Sequence, residues 1–313
     1  TLGLGYFEYF ELSEDIGAKP LPVLPGGYDP HHDREAPIDQ LGEWIDDALD
    51  LIEFANGTTD TKWGKIRANL GHPKPFHLEY LAIGNEEVGQ AFFDRYPYFH
   101  KAIKAKYPDI KLINTAGPFA AGKEYDRGWP SARENHSDLV SEHYYMDPEW
   151  FLANQHRYDS YDPKGPKAFL GEYASKANQW YNAVVEASYM IGLERNADKV
   201  GLACYAPLFC NVDYENWGTD LIYFDQKEVS PTVNYFVQQL FMKYQGTDNV
   251  SYQLKDLPKA KVVDDQPIVG KFFVQGDKAR AKFENIVLDD GQQKQKFASQ
   301  IVDHEEKVEL GVN

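Results

Sequence analysis

The chain has 313 residues and a formal net charge of −17, with 42% apolar, 26% charged and 14% aromatic residues. That length can bury a substantial core, and no apolar run is long enough to span a bilayer. The acidic balance argues against nucleic acid or an anionic membrane surface as partner and leaves a neutral ligand as the better expectation.

Twenty-one Tyr, 18 Phe and 6 Trp suit a protein that handles sugar rings, although aromatic residues fill cores first. Cys204 and Cys210 have neither metal-ligand spacing nor a disulfide framework and read as buried thiols. The opening "TLGLGYFEYF" has no charged n-region and no apolar signal core, so the chain reads as a piece of a longer precursor. Sequons at Asn56, Asn135 and Asn249 are compatible with secretion. They leave localisation open between cytoplasm and exterior.

In chain order, "PLPVLPG" (20–26) reads as a first strand. Ile38, Leu41, Ile45, Leu49 and Ile52 then define the apolar face of a helix. "LEYLAIGNE" (78–86) is a strand, followed by a helix carrying Phe92, Phe99, Ala102 and Ile103. Three further strands lie at "IKLINTAG" (110–117), "DLVSEHYY" (138–145) and "AFLGEYA" (168–174). A helix over 179–195 presents Val184, Ala187, Ile191 and Leu193, and "VGLACYAPLF" (200–209) is the last strand of this kind. In "SPTVNYFVQQLFMKY", Ser230 is the expected N-cap and Pro231 the first helical residue. None of the strands alternates cleanly, as expected of parallel strands covered on both faces. Beyond residue 246 the alternation of β-branched and aromatic residues, with Gly-Asp and Asp-Gly turns, predicts a small all-β region.

Repeated strand–helix units mean an α/β fold with right-handed crossovers, either a (β/α)8 barrel or an open doubly wound sheet. No Gly-rich dinucleotide fingerprint is present. Polar residues gather at the carboxyl ends of strands: Asn85 and Glu86, Asn114, His143 and Tyr145, Glu172, Asn211. Barrel active sites occupy that rim, which favours the barrel.

A Glu in an acidic protein is most often a solvated surface charge, and Glu87, past the strand end, is read that way. Glu86 and Glu172 differ because each closes a buried strand at or just beyond a glycine. Two facing, partly desolvated carboxyls have their pKa values pushed apart. One can then donate a proton while the other attacks, which is the division of labour glycosidic cleavage needs. The plain alternative is a pair of ion-paired structural carboxylates. If Glu86 ends barrel strand 4, Glu172 ends strand 7, across the barrel mouth.

"IGNE" and "GEYA" resemble the strand 4 and strand 7 ends of the retaining (β/α)8 glycosidases. The stretches "LGYFEYFELSEDIGAKPLPVL", "ALDLIEFANG", "KWGKIRANLGHPKPFHLEYLAIGNE", "GPKAFLGEYA", "YAPLF" and "NWGTDLIYFD" resemble glycoside hydrolase family 51, the α-L-arabinofuranosidases, over residues 1 to 245. The resemblance implies Glu86 as acid/base and Glu172 as nucleophile. It implies Asn85 as a hydrogen-bond partner of the sugar 2-hydroxyl and His143 and Tyr145 as the family's His-x-Tyr, with Tyr145 donating to Glu172. Trp217 would wall the furanose. A buried imidazole bonded to backbone is the plain reading of His143, and a core side chain that of Trp217.

The activity implied by the resemblance is that of a retaining hydrolase of arabinose side chains on arabinoxylan or arabinan, acting on carbohydrate without metal or cofactor. A homo-oligomer is compatible with it. An endo-β-glucanase of the same family and an inactive glycan-binding barrel are the alternatives. By this count 20–26 is barrel strand 3, "GLGYFEYFELSEDIGA" is the helix before it, and strands 1 and 2 are absent. The chain is then a fragment or is completed by another chain, with residues 1–245 as catalytic barrel and 246–313 as a β-rich, sandwich-like region.

Overall fold

A computed structural model describes residues 3–250 throughout and, beyond them, the backbone of six short strands. The chain divides into two compact units, Thr1–Val250 and Ser251–Asn313.

The first unit opens with helix α1 (Tyr6–Asp15), strand β1 (Val23–Leu24) and a hairpin of β2 (Tyr28–Asp29) and β3 (Arg34–Glu35). Helices α2 (Gly42–Asn56) and α3 (Lys62–Asn69) precede β4 (Tyr80–Ile83) and α4 (Gln90–Lys106). Then come β5 (Lys111–Thr115), α5 (Lys123–Glu134), β6 (Leu139–Met146), α6 (Pro148–Ala153), β7 (Lys167–Ser175) and α7 (Trp180–Arg195). The unit closes with β8 (Val200–Tyr205), β9 (Phe209–Asn211), β10 (Ile222–Phe224), β11 (Val229–Pro231) and α8 (Val233–Tyr244).

Strands β1, β4, β5, β6, β7 and β8 pair in that order, all parallel. Chain order therefore equals spatial order, and every carboxyl end lies on one rim. The outward faces pack under the helices in two clusters, around Leu81, Ile83, Phe92 and Phe99 and around Val140, Tyr144, Leu170 and Tyr173. Inward-facing Ala82, Ile113, Leu139 and Phe169 form a third. Each fully buried Leu, Ile or Phe contributes about 1.5–3 kcal/mol, so the sheet holds its curvature through both faces. Among the described residues β1 and β8 each keep one edge unpaired. Cys204, on β8, is consequently exposed; of the two expected buried thiols only Cys210 is buried.

Arg67 illustrates how β4 is placed. It is fully buried and spends all five N–H donors on the carbonyls of Phe54, Ala55, Gly57, His72 and Pro73. This ties α2, α3 and the approach to β4 into one body.

Three local expectations need correction. Helix α2 begins at Gly42, and Ile38 lies before it, exposed. Ser230 and Pro231 belong to β11, paired with Tyr223 and Ile222; Pro231 closes a sheet-edge strand, where a missing N–H is tolerated. The cap of α8 is Thr232, whose hydroxyl accepts from Tyr235 N–H. On α7, Val184 and Ile191 are exposed while Val185, Glu186, Tyr189 and Met190 are buried. That helix is apolar on most sides, so periodicity alone could not orient it.

In the second unit β12 (Phe272–Gln275) pairs with β17 (Lys307–Leu310), β13 (Ala281–Phe283) with β16 (Gln300–Val302), and β14 (Val287–Asp289) with β15 (Lys294–Lys296). All three pairs are antiparallel and nested. The expected Gly-Asp and Asp-Gly turns lie outside the described residues. Among the described residues no helix is long and apolar enough to cross a membrane.

Candidate active site

Beyond β4 the backbone leaves the extended region. Gly84 has φ +88° and Glu86 φ +56°. Left-handed backbone is unfavourable for a side-chain-bearing residue and is held by its surroundings. The turn leaves Asn85 exposed on the cavity wall and Glu86 partly buried.

Glu172 lines the same cavity as Asn85 and reaches it by another device. Along β6, Glu142 pairs with Leu170 but His143 pairs with Glu172, so β7 carries one extra residue, Gly171. The β8 side agrees, since three steps along β7 from Leu170 to Tyr173 face two along β8 from Ala203 to Tyr205. Phe169 points inward and Leu170 outward. Strict alternation would send Glu172 outward, into the helix layer. The bulge makes Gly171 and Glu172 both line the cavity and returns Tyr173 to the outer core. A side chain at Gly171 would be crowded, because a Cβ there would lie 2.4 Å from Ser141 Oγ and 3.1 Å from His143 Nε2.

These elements converge on a cavity of about 180 Å3 lined by, among others, Asn85, Ser141, His143, Gly171, Glu172 and Cys204. His143 lies between the two carboxylates, 5% exposed, with Nδ1 2.8 Å from Glu86 Oε1 and 3.6 Å from Glu172 Oε2. Ser141 Oγ is 3.2 Å from its Nε2. The imidazole is thus buried, but its partners are side chains rather than backbone. Tyr145 OH donates to Glu172 Oε2 at 2.7 Å. The Trp217 ring meets Tyr145 edge-on at 5.2 Å between centroids and is 45% exposed, so it borders the site and is not a core residue.

One ligand atom each of Glu86, His143 and Glu172 lies within 4.8 Å of the others. Such a set could hold a divalent cation, but the ion would occupy both carboxylates.

Electrostatics run opposite to the expectation that the acid carboxyl is pushed up. The hydrogen bond from His143 lowers the pKa of Glu86, against the opposing effect of burial, and the charges of His143 and His31 add to the lowering. His31 lies in the turn of the β2–β3 hairpin and was not singled out from the sequence. Tyr145 is pushed up by burial and by the Glu172 carboxylate, so it stays a donor.

Glu87 is not a surface charge. It is 4% exposed, accepts from Gly26 N–H at 2.8 Å and Tyr28 N–H at 3.3 Å, and burial pushes it up to about 7. Two of the residues grouped on the rim are also placed elsewhere. Asn114 is fully buried against α5, donating to Ser131 Oγ, and Asn211 accepts from Asp213 N–H as the cap of a short turn.

Sequence reasoning passed over Glu142, on the outer face of β6. It is fully buried and accepts from the hydroxyls of Tyr125, Tyr144, Tyr158 and Tyr161 and from Trp129 Nε1. Arg157 lies 4.8 Å over the Tyr144 ring and 5.0 Å over that of Tyr125. This network pins the outer face of β6, whose inner face carries His143 and Tyr145. The available signal was the tyrosine density around an acid inside an apolar strand.

Residues 1–163 match the family model described as Alpha-L-arabinofuranosidase 1 domain, and residues 154–311 that of the Alpha-L-arabinofuranosidase C-terminal domain. The chain belongs to glycoside hydrolase family 51. It is 53% identical over 249 residues to an extracellular exo-α-L-arabinofuranosidase of Streptomyces chartreusis, covering 79% of this chain and 30% of that one. It is 36% identical to α-L-arabinofuranosidase 1 of Arabidopsis thaliana, covering 81% and 36%. The family 51 chain therefore spans about a third of the length of these curated relatives. An arabinose-bound family 51 α-L-arabinofuranosidase structure superposes with a TM-score of 0.70 at 25% identity, covering 98% of this chain and 55% of that one. With that neighbour, the six parallel strands are part of a TIM barrel.

Proposed function

We propose that the chain carries the catalytic carboxylates of a retaining α-L-arabinofuranosidase that releases terminal arabinofuranosyl residues from arabinan, arabinoxylan or their oligosaccharides. The observation that carries this is the approach of a Glu86 and a Glu172 carboxylate oxygen to within 4.8 Å of each other and of His143. Retaining double displacement works at roughly 5–5.5 Å and inversion at roughly 6.5–9.5 Å. Residues 1–245 would form the catalytic part and 246–313 the β-rich region.

In this reading Glu172 attacks the anomeric carbon while Glu86 gives its proton to the departing glycosidic oxygen, leaving a covalent arabinosyl-enzyme. Glu86 as carboxylate then takes a proton from water, which displaces Glu172 with net retention. Tyr145 aims the attacking carboxylate. Asn85 reaches the sugar 2-hydroxyl and Trp217 walls the ring. The lowered pKa of Glu86 belongs to the open site, where His143 is its donor. A bound sugar excludes water and strengthens the repulsion from Glu172, and both effects return a proton to Glu86.

The test is Glu172→Ala assayed with 4-nitrophenyl α-L-arabinofuranoside. Turnover should vanish and return with azide as an inverted glycosyl azide. Near-normal turnover without azide removes Glu172 from the mechanism. A second reading, glycan binding without turnover, is favoured by the edges of β1 and β8 that stay unpaired among the described residues. It predicts no nitrophenol release by the 313-residue chain while arabino-oligosaccharide still binds.

A further inference from the structure

We propose that Glu87 is a positioning residue for Glu86: its buried carboxylate takes the Gly26 and Tyr28 N–H groups and so holds the left-handed turn that aims Glu86 at His143 and toward Glu172. This rests on Glu86 being the acid/base.

The backbone ladder between β1 and β4 ends where Gly84 N–H donates to Leu24 O at 2.7 Å. Past that rung the two chains separate, and the Glu87 carboxylate bridges them. Oε1 takes Gly26 N–H at 2.8 Å and Oε2 takes Tyr28 N–H at 3.3 Å. Both oxygens are thus committed to the backbone of the neighbouring loop, so Glu87 is not a competing proton donor to substrate. The passage for this side chain is shaped by glycines. A Cβ on Gly26 would lie 2.8 Å from Glu87 Oε2 and 2.6 Å from the Phe92 ring, and a Cβ on Gly84 would lie 2.6 Å from that ring.

Glu86, one residue earlier, has φ +56°. A non-glycine residue there persists only where neighbours over-determine it. His143 holds the tip of the side chain at 2.8 Å, and Glu87 fixes the next stretch of backbone. The same anchor sets the base of the β2–β3 hairpin, whose His31 lies close enough for its charge to act on Glu86. Without the Glu87 anchor the turn can relax toward negative φ and swing Glu86 away from the glycosidic oxygen.

The experiment compares Glu87→Gln, which keeps one acceptor, and Glu87→Met, which keeps the shape, with Glu86→Ala in the full chain. kcat/KM is measured on an activated aryl arabinofuranoside and on an unactivated arabinofuranosyl disaccharide, per site titrated with a mechanism-based arabinofuranosyl inactivator. Misplaced acid catalysis should cost Glu87→Met about 100-fold on the disaccharide and only a few-fold on the aryl glycoside, with about 10-fold on the disaccharide for Glu87→Gln. The 15N shift of His143 Nδ1, read without turnover, should move in Glu87→Met toward its value in Glu86→Ala. Equal losses on both substrates together with an unmoved His143 signal reduce Glu87 to a structural residue and overturn the proposal. If Glu86→Ala itself shows no leaving-group dependence, the acid/base reading fails and the proposal falls with it. Should Glu87→Met not fold, Glu87→Gln decides by the same criteria.

Discussion

A methyl group added at Gly171 tests the device that turns Glu172 inward. Its carbon would sit 2.4 Å from Ser141 Oγ, and His143 Nε2 at 3.1 Å is also crowded. The hydroxyl must retreat by about 1 Å to reach ordinary contact. Retreat breaks the 3.2 Å Ser141–His143 hydrogen bond. A lost hydrogen bond of about 1 kcal/mol and local overpacking of about 1–3 kcal/mol oppose the gain of about 0.4–1 kcal/mol from a stiffer unfolded chain. Gly171→Ala should therefore destabilise by about 1–3 kcal/mol in urea unfolding. The effect on turnover should be larger, because a displacement of about 1 Å in a reacting constellation costs about 100-fold. Hydrolysis of 4-nitrophenyl α-L-arabinofuranoside, per folded enzyme, measures it. Removing the clashing hydroxyl in Ser141→Ala/Gly171→Ala should restore stability but only part of the activity, since His143 Nε2 then has no partner. A single variant within about twofold of the parent in turnover, and equal to it in stability, would refute the claim that a side chain at the bulge displaces Ser141.

Glu186 gives a prediction about pH. It is fully buried, accepts from Ser175 N–H and Asn234 Nδ2, and burial pushes it from 4.5 up to about 7. A raised carboxyl favours the folded state fully below its unfolded pKa, and that contribution, about 3 kcal/mol, is lost as pH rises to about 7; Glu87 acts in the same direction. Unfolding free energy should fall between about pH 5 and 7.5 and fall less in Glu186→Gln, and an equal slope in both would refute the assignment. Zinc should inhibit competitively with substrate by occupying Glu86, His143 and Glu172, and chelation should reverse it, whereas magnesium, which prefers six oxygens, should not inhibit. Non-competitive inhibition would place the zinc elsewhere.

Much of this architecture was legible in the chain itself. Helix and strand alternate with their own periods, so the order of the six parallel strands and the rim carrying Glu86 and Glu172 could be read from residue order alone. The longer stretches that contain "IGNE" and "GEYA" were enough to name the family, whose His-x-Tyr singled out Tyr145 as the donor to Glu172. Local pattern failed where a residue's neighbour lies far along the chain. Glu87 looks solvated in sequence and is buried only because Gly26 and Tyr28, about 60 residues earlier, bring two N–H donors to it. Asn114 follows the rim pattern yet turns toward Ser131, because the hydroxyl that satisfies it lies on α5. Glu142 is stable in the outer core only inside a shell of tyrosines from the preceding helix, its own strand and the segment after α6. The inward face of Glu172 is the clearest case. A period of two predicts the opposite face, and the extra residue that reverses it exists only as a register shift against β6 and β8 together. Register is set by hydrogen bonds between strands, so it becomes a property of the chain only once the sheet has formed.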